Sequence, residues 1–133
     1  MSPALEKRLL QIAIVAVVLV FPLMGSVMGI AAGPEWLRGD GASRDLDSHF
    51  RYLSGLLLAM SLLFLSCVPD IEQKGARMRL LAIFPIVGGL CRLWSLIDIG
   101  PPSNTHIMAL CVELGVVPLF VLWQARVAGR FAR

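Results

Sequence analysis

The feature that most restricts how this chain can fold is an uncharged run of 26 residues, from Leu9 to Pro34. A transmembrane α-helix needs about 20 predominantly apolar residues, so this run is long enough to cross a bilayer. Three more apolar segments follow, and the whole chain is 57% hydrophobic and only 16% charged. A soluble domain of 133 residues could not cover so much apolar surface with polar side chains. The sequence therefore predicts an all-α integral membrane protein.

The four apolar segments predict one membrane domain, residues 1–133, built as an antiparallel four-helix bundle. Pro22 is expected to bend the first helix, which a membrane helix tolerates when neighbouring groups bind the freed carbonyl. Asp47 or Ser48 is the expected cap of the second helix and Thr105 that of the fourth, because their side-chain oxygens can accept free backbone amides. The expected helix limits are residues 9–33, 49–68, 80–99 and 106–125.

Basic residues are distributed unequally between the two sides of this topology. Eight of the twelve lie on the side of the termini and two in the opposite loop. Because Lys and Arg are enriched in cytoplasmic segments, both termini are expected in the cytoplasm. These residues form no single patch or stripe, so no nucleic-acid partner is expected. The eight are Lys7, Arg8, Lys74, Arg77, Arg79, Arg126, Arg130 and Arg133; the two are Arg38 and Arg44.

Glycines at four-residue spacing mark one face of the first predicted helix. Gly25, Gly29 and Gly33 form a GxxxG stripe, a pattern that lets a second helix backbone approach closely. Another helix of the same chain or another subunit can occupy such a stripe, and the sequence does not decide between them. Gly88 and Gly89 are further helix-packing candidates on the third helix.

Three ionisable residues fall inside the predicted spans, in their outer halves. Arg92 lies about 10 Å from the outer end of its span, Glu113 about 12 Å and Arg51 about 4–5 Å, at 1.5 Å per residue. An unpaired charge in hydrocarbon costs about 2.5 kcal/mol or more, so we predict that Arg92 and Glu113 pair. Small and polar neighbours such as Ser95 and Gly88 indicate that these faces turn into the bundle. No comparable cluster is expected in the inner half.

If Glu113 neutralises Arg92, Arg51 is left over and gives an outward-facing pocket a positive charge. A guanidinium suits a phosphate or a carboxylate, so the head group of a membrane lipid is the expected ligand. Two histidines without a third ligand predict no metal site, and no motif predicts a catalytic residue or a cofactor. The candidate pocket residues are Arg51, Arg92, Glu113, Ser95, His106 and His49. The cysteines are interpreted as buried apolar residues, namely Cys67, Cys91 and Cys111.

Four short motifs occur in order along the chain, namely His49-Phe50-Arg51-Tyr52-Leu53-Ser54-Gly55, Gly88-Gly89-Leu90-Cys91-Arg92-Leu93-Trp94-Ser95, Gly100-Pro101 and Val112-Glu113-Leu114. Taken together, they resemble a bacterial family of small four-helix membrane proteins, the domain of unknown function 4345, over nearly the whole chain. The resemblance implies the fold and a location in the bacterial inner (plasma) membrane, and it carries no established activity.

These observations are compatible with three functions. The leading hypothesis is a non-enzymatic accessory or lipid-binding protein, bound to a larger membrane complex or to copies of itself. The second is a proton-coupled small transporter that uses Glu113, although no partner acid lies on another helix. The third is a lipid-modifying membrane enzyme with Glu113 or His106 as general acid or base, a role whose geometry the sequence does not supply.

Overall fold

The computed structural model describes residues 1–34 and 43–132, and within these ranges the chain is helical and contains no strand. Its long helices are α1 (Pro3–Ala32), α2 (Arg44–Leu65), α3 (Gly75–Asp98) and α4 (Asn104–Phe131). A short 3₁₀ turn, Ile71–Gln73, lies between α2 and α3. All four long helices are long and apolar enough to cross a membrane, so the predicted all-α class is confirmed. Their arrangement as an antiparallel bundle stays a prediction, and Arg38 and Arg133 lie outside the described residues.

Each helix begins before the apolar segment that predicted it, α2 ends at Leu65 and not at residue 68, and the predicted caps are wrong. Ser43 caps α2, because its side-chain oxygen accepts a hydrogen bond from the Leu46 amide at 3.2 Å. Asp47 and Ser48 therefore lie inside α2. Similarly, α4 begins one residue before Thr105. Hydropathy locates the apolar stretch, whereas a helix continues through polar residues until its amides are capped.

Two prolines coincide with wider turns in the helices. Pro22 lies in a π-helical turn of α1, Leu19–Leu23, at the position where a bend is predicted. A second π-helical turn, Val112–Val116, lies in α4 just before Pro118. Proline has no N–H and its ring clashes with the carbonyl four residues earlier, so a locally wider turn relieves both problems. As a consequence, Glu113 lies in a π turn.

The chain divides into two compact units, which are described separately. The first unit, Ala13–Ser66, contains most of α1 and all of α2. Its helices approach closely at Gly29, where an added Cβ would overlap the Ser54 hydroxyl oxygen. Ser54 is buried, and its hydroxyl donates a hydrogen bond to the Phe50 carbonyl at 2.8 Å. The glycine stripe thus packs within the chain at Gly29, whereas Gly25 has open space at its Cβ position.

The second unit combines Met1–Ile12 with Cys67–Arg133. Two glutamine side chains bind the segment that precedes α3: Gln11 donates to the Val68 carbonyl at 2.7 Å, and Gln124 to the Ile71 carbonyl at 2.8 Å. Gln124 is almost fully buried, so these bonds satisfy polar groups that would otherwise lack partners. The apolar core of this unit contains Leu10, Cys67, Ile71, Met78, Leu81, Ala82 and Val127.

Candidate functional site

Arg92 of α3 and Glu113 of α4 form a two-pronged ion pair. Arg92 Nε donates to Glu113 Oε2 at 3.1 Å, and Nη2 donates to Oε1 at 3.2 Å. Two parallel N–H···O bonds match the planar fork of a guanidinium to a carboxylate and fix the relative position of the two side chains. The predicted pairing of these residues is confirmed.

A close approach of α3 and α4 positions this pair. An added Cβ at Gly89 would lie 2.9 Å from the Cβ of Glu113 and 2.8 Å from Leu114 Cδ2, both too near for a real side chain. Because Gly89 lacks a side chain, the two helices can come within reach of each other one turn before Arg92. Glu113 lies in the π turn of α4, at this contact with Gly89.

The ion pair is only partly covered by this chain. The Arg92 side chain is 31% exposed and that of Glu113 is 20% exposed. A guanidinium has five N–H donors, of which Glu113 accepts two; the other three have no partner in the described parts of the chain. One flank of the pair is therefore open.

The small residues around the pair differ from their predicted orientation. Ser95 and Gly88 are exposed, whereas Pro85 and Gly89 on the other flank are buried. Since α3 turns only one flank of its charged face toward α4, the prediction that Ser95 and Gly88 face the interior is wrong. The cysteine interpretation holds for Cys67, which is buried, and fails for Cys91 and Cys111, which are exposed.

Arg51 has partners within its own unit. Its Nε donates to Asp47 Oδ2 at 2.9 Å, one turn earlier in α2. Its Nη1 donates to the Ile30 carbonyl and, at 3.3 Å, to the Ala31 carbonyl. The last carbonyls of a helix have no partner within it, so Arg51 caps the end of α1. Arg51 is thus not left over, and its convergence with Arg92 and Glu113 stays a prediction.

The two histidines lie near helix starts and have local partners. His49 is exposed, with its ring centroid 6.5 Å from that of Tyr52. His106 Nδ1 lies 2.9 Å from the Ser103 hydroxyl oxygen, which precedes α4. In the described ranges, no group of three His, Cys, Asp or Glu residues is placed to hold a metal ion.

A polar cluster that the sequence analysis missed joins the start of α1 to the end of α4. Glu6 is 2% exposed, and its carboxylate lies 2.9 Å from Arg126 Nε and 2.5 Å from Arg130 Nη1. All three residues lie outside the predicted spans, in the parts of α1 and α4 that extend past them, so the expectation of no comparable cluster inside the inner half stays a prediction. The available signal was the four-residue spacing of Arg126 and Arg130, which puts both on one helix face.

Lys7 and Glu72 form a second ion pair in the same unit. Lys7 Nζ donates to Glu72 Oε1 at 2.9 Å and lies 2.8 Å from Oε2. The hydrogen bond from Lys7 holds the pKa of Glu72 below its usual range, against a smaller opposing effect of burial. Glu72 belongs to the 3₁₀ turn between α2 and α3, so this pair fixes that turn to the start of α1.

The helical fold and its four apolar helices indicate a small multi-pass membrane protein, with an ion pair between two of the helices. A family model described as Domain of unknown function (DUF4345) matches residues 9–124. Because the match covers most of the chain, the protein belongs to this family, and the resemblance found in the sequence is confirmed. Neither a curated protein nor a solved structure matches the chain significantly.

Proposed function

We propose that this protein is a small, non-enzymatic accessory protein that binds another membrane protein beside the Arg92–Glu113 pair. We call this surface the pair face. It comprises the exposed residues of α3 on the open side of the pair, namely Gly88, Cys91 and Ser95. The observation that carries the proposal is an ion pair within two apolar helices that its own unit covers only in part.

The energetic argument concerns the open flank of the pair. In hydrocarbon, a charged group is stable only when its hydrogen-bonding capacity is met inside protein or by water. Glu113 neutralises Arg92 but leaves three of its N–H groups without a partner among the described residues. Carbonyl or hydroxyl oxygens on a neighbouring helix would satisfy these donors, which lipid tails cannot do.

The shape of the pair face also suits a second helix. An added Cβ at Gly88 would meet no atom within 4 Å, so this glycine presents bare backbone to the outside. Small residues at such positions let another helix approach closely enough for van der Waals contact and interhelical hydrogen bonds. The same face therefore offers both close packing and polar donors.

The proposed location is the bacterial inner membrane, with four spans and both termini in the cytoplasm. The excess of basic residues on the side of the termini supports this orientation. The contact of Glu6 with Arg126 and Arg130 brings the start of α1 beside the end of α4, as an even number of spans requires.

The pairing of Glu113 favours the accessory role over proton transport. A carrier carboxylate must take up and release protons, yet both oxygens of Glu113 accept hydrogen bonds from Arg92. Such a role would require the carboxylate to leave Arg92, the partner that it holds through two hydrogen bonds. Proton uptake into vesicles should therefore be equal for wild type and Glu113→Gln, and a loss in the variant would favour the transporter.

Site-specific photo-crosslinking in intact membranes tests the proposal. A photoreactive phenylalanine analogue is placed at position 95, on the pair face, or at position 83 as the matched control. Ser95 and Ile83 are both exposed on α3, but Ile83 lies on the opposite side of the helix from Arg92. We expect a discrete product with a second, different polypeptide from position 95 only.

The dependence on the ion pair provides a further check. The product should weaken when Arg92 and Glu113 are both replaced by alanine, since the polar donors of the pair face are then absent. Equal products from positions 95 and 83, or lipid adducts alone, would refute the accessory role. A product containing two copies of this chain would replace it with self-association.

A further inference from the structure

An open cavity of about 430 Å³ lies in the unit of residues 1–12 and 67–133, away from the Arg92–Glu113 pair. Its volume is within the range of small-molecule sites in proteins. The side chains that matter for its chemistry are Ala4, Lys7, Arg8, Gln11, Asp70 and Phe131. None of them belongs to the pair face, so the inference is independent of the proposed function.

The charges that line the cavity are only partly paired. Lys7 binds Glu72, and its ammonium lies 5.6 Å from the centre of the Phe131 ring. Gln11 is bound to the Val68 carbonyl. Arg8 and Asp70 are both exposed, and neither has an ion-pair partner within 4 Å among the residues described. The cavity therefore presents one unpaired cation and one unpaired anion that do not neutralise each other.

The position of the cavity indicates an amphipathic ligand. Arg8 immediately precedes the uncharged run of α1, at the boundary between polar chain and apolar helix. Leu5, Leu9 and Ile12 lie near Arg8 on the surface of α1, and all three are exposed. A ligand with its charged part in the cavity can thus lay an apolar chain along this surface.

We propose that the cavity binds the head group of an aminophospholipid, with the phosphate on Arg8 and the primary amine on Asp70. A guanidinium donates well to phosphate, and a carboxylate accepts from a primary ammonium. A head group that carries only negative charge is repelled by Asp70. A choline head group has no N–H to donate to that carboxylate, so a primary amine is preferred over a quaternary one.

Native mass spectrometry of the full chain tests this site. The protein is released from nanodiscs that contain equal amounts of phosphatidylethanolamine, phosphatidylglycerol and phosphatidylcholine with identical acyl chains. We expect wild type to retain phosphatidylethanolamine about fivefold over the other two. Arg8→Gln should reduce this retention about fivefold, the effect of one basic residue beside a lipid phosphate.

Asp70→Asn separates the amine contact from the phosphate contact. Asp70 has a φ of 51°, in the left-handed region that asparagine also tolerates, so the backbone is preserved. This variant should still retain lipid but lose the preference for phosphatidylethanolamine over phosphatidylglycerol. Helix content by circular dichroism, equal to that of wild type, shows that each variant is folded.

Arg77→Gln is the matched control for charge. Arg77 is exposed at the start of α3 in the same unit, and it does not line the cavity. We expect wild-type lipid retention in this variant. Equal loss in Arg77→Gln and Arg8→Gln, or equal retention of the three lipids by wild type, would overturn the site. Tighter retention of soluble phosphoethanolamine than of phosphatidylethanolamine would overturn the assignment of the ligand to a membrane lipid.

Discussion

The Arg92–Glu113 pair allows a quantitative prediction for three variants: Arg92→Ala, Glu113→Ala and the double variant. Each single change removes both hydrogen bonds and leaves one charge without its partner. An unpaired charge in the middle of a membrane helix costs about 2.5 kcal/mol on the insertion scale, so each single variant should lose about that much free energy of unfolding. The double variant leaves no charge without a partner. Its loss of free energy of unfolding should therefore be no larger than the loss in either single variant.

Reversible unfolding in mixed detergent, followed by circular dichroism, measures these differences. The coupling energy is the sum of the two single losses minus the loss in the double variant. If the double variant loses no more than either single variant, this coupling energy is at least about 2.5 kcal/mol. Arg77→Ala removes an exposed charge that has no ion-pair partner within 4 Å among the described residues, and it should change stability by less than about 0.5 kcal/mol. Additive losses in the double variant would refute the reasoning, because the residues would then act independently.

Two further predictions concern other contacts. Gly29→Ala should lower stability by about 1–3 kcal/mol because its Cβ would overlap Ser54, whereas Gly25→Ala should leave it unchanged; equal effects in an unfolding assay would contradict close packing at Gly29. Because Lys7 lowers the pKa of Glu72 in the folded state, their pair should stabilise the protein above the usual pKa of 4.5 and lose this contribution as the pH falls through the folded value. The free energy of unfolding, measured across this pH range, should depend less steeply on pH in Glu72→Gln than in wild type. An identical pH dependence would refute the assignment.

The number and type of the helices could be predicted because they follow from segment length and hydropathy. The helix ends could not, because they depend on where an amide finds an acceptor outside the apolar stretch. Ser43 illustrates this: it caps α2 from a polar segment that also offered Asp47 and Ser48 as candidates. All three residue types favour helix starts, so residue preference alone does not choose among them.

The ion pair was predictable for a different reason. Arg92 and Glu113 are opposite charges at similar depth in adjacent helices, and few alternatives exist inside apolar segments. Arg51 was misassigned because its main acceptors are the carbonyls of Ile30 and Ala31. Every residue has a carbonyl, so such an acceptor leaves no mark in the sequence. The close approach of α1 and α2 makes those carbonyls available, at Gly29 and again at Gly33, where an added Cβ would lie 2.9 Å from Arg51 Nη2.

Glu6 shows what a single sequence cannot reveal. Periodicity relates residues within one helix, over a few turns, whereas Glu6 and Arg130 are 124 positions apart. Eight basic residues share the predicted side of the membrane, and charge alone gives Glu6 no preference among them. Arg126 and Arg130 become its partners because they are one turn apart on the same helix, so that each binds a different oxygen of the same carboxylate. Since Glu6 is buried while Arg126 is 64% exposed, removing the carboxylate should cost more stability than removing that arginine, whose charge water already solvates.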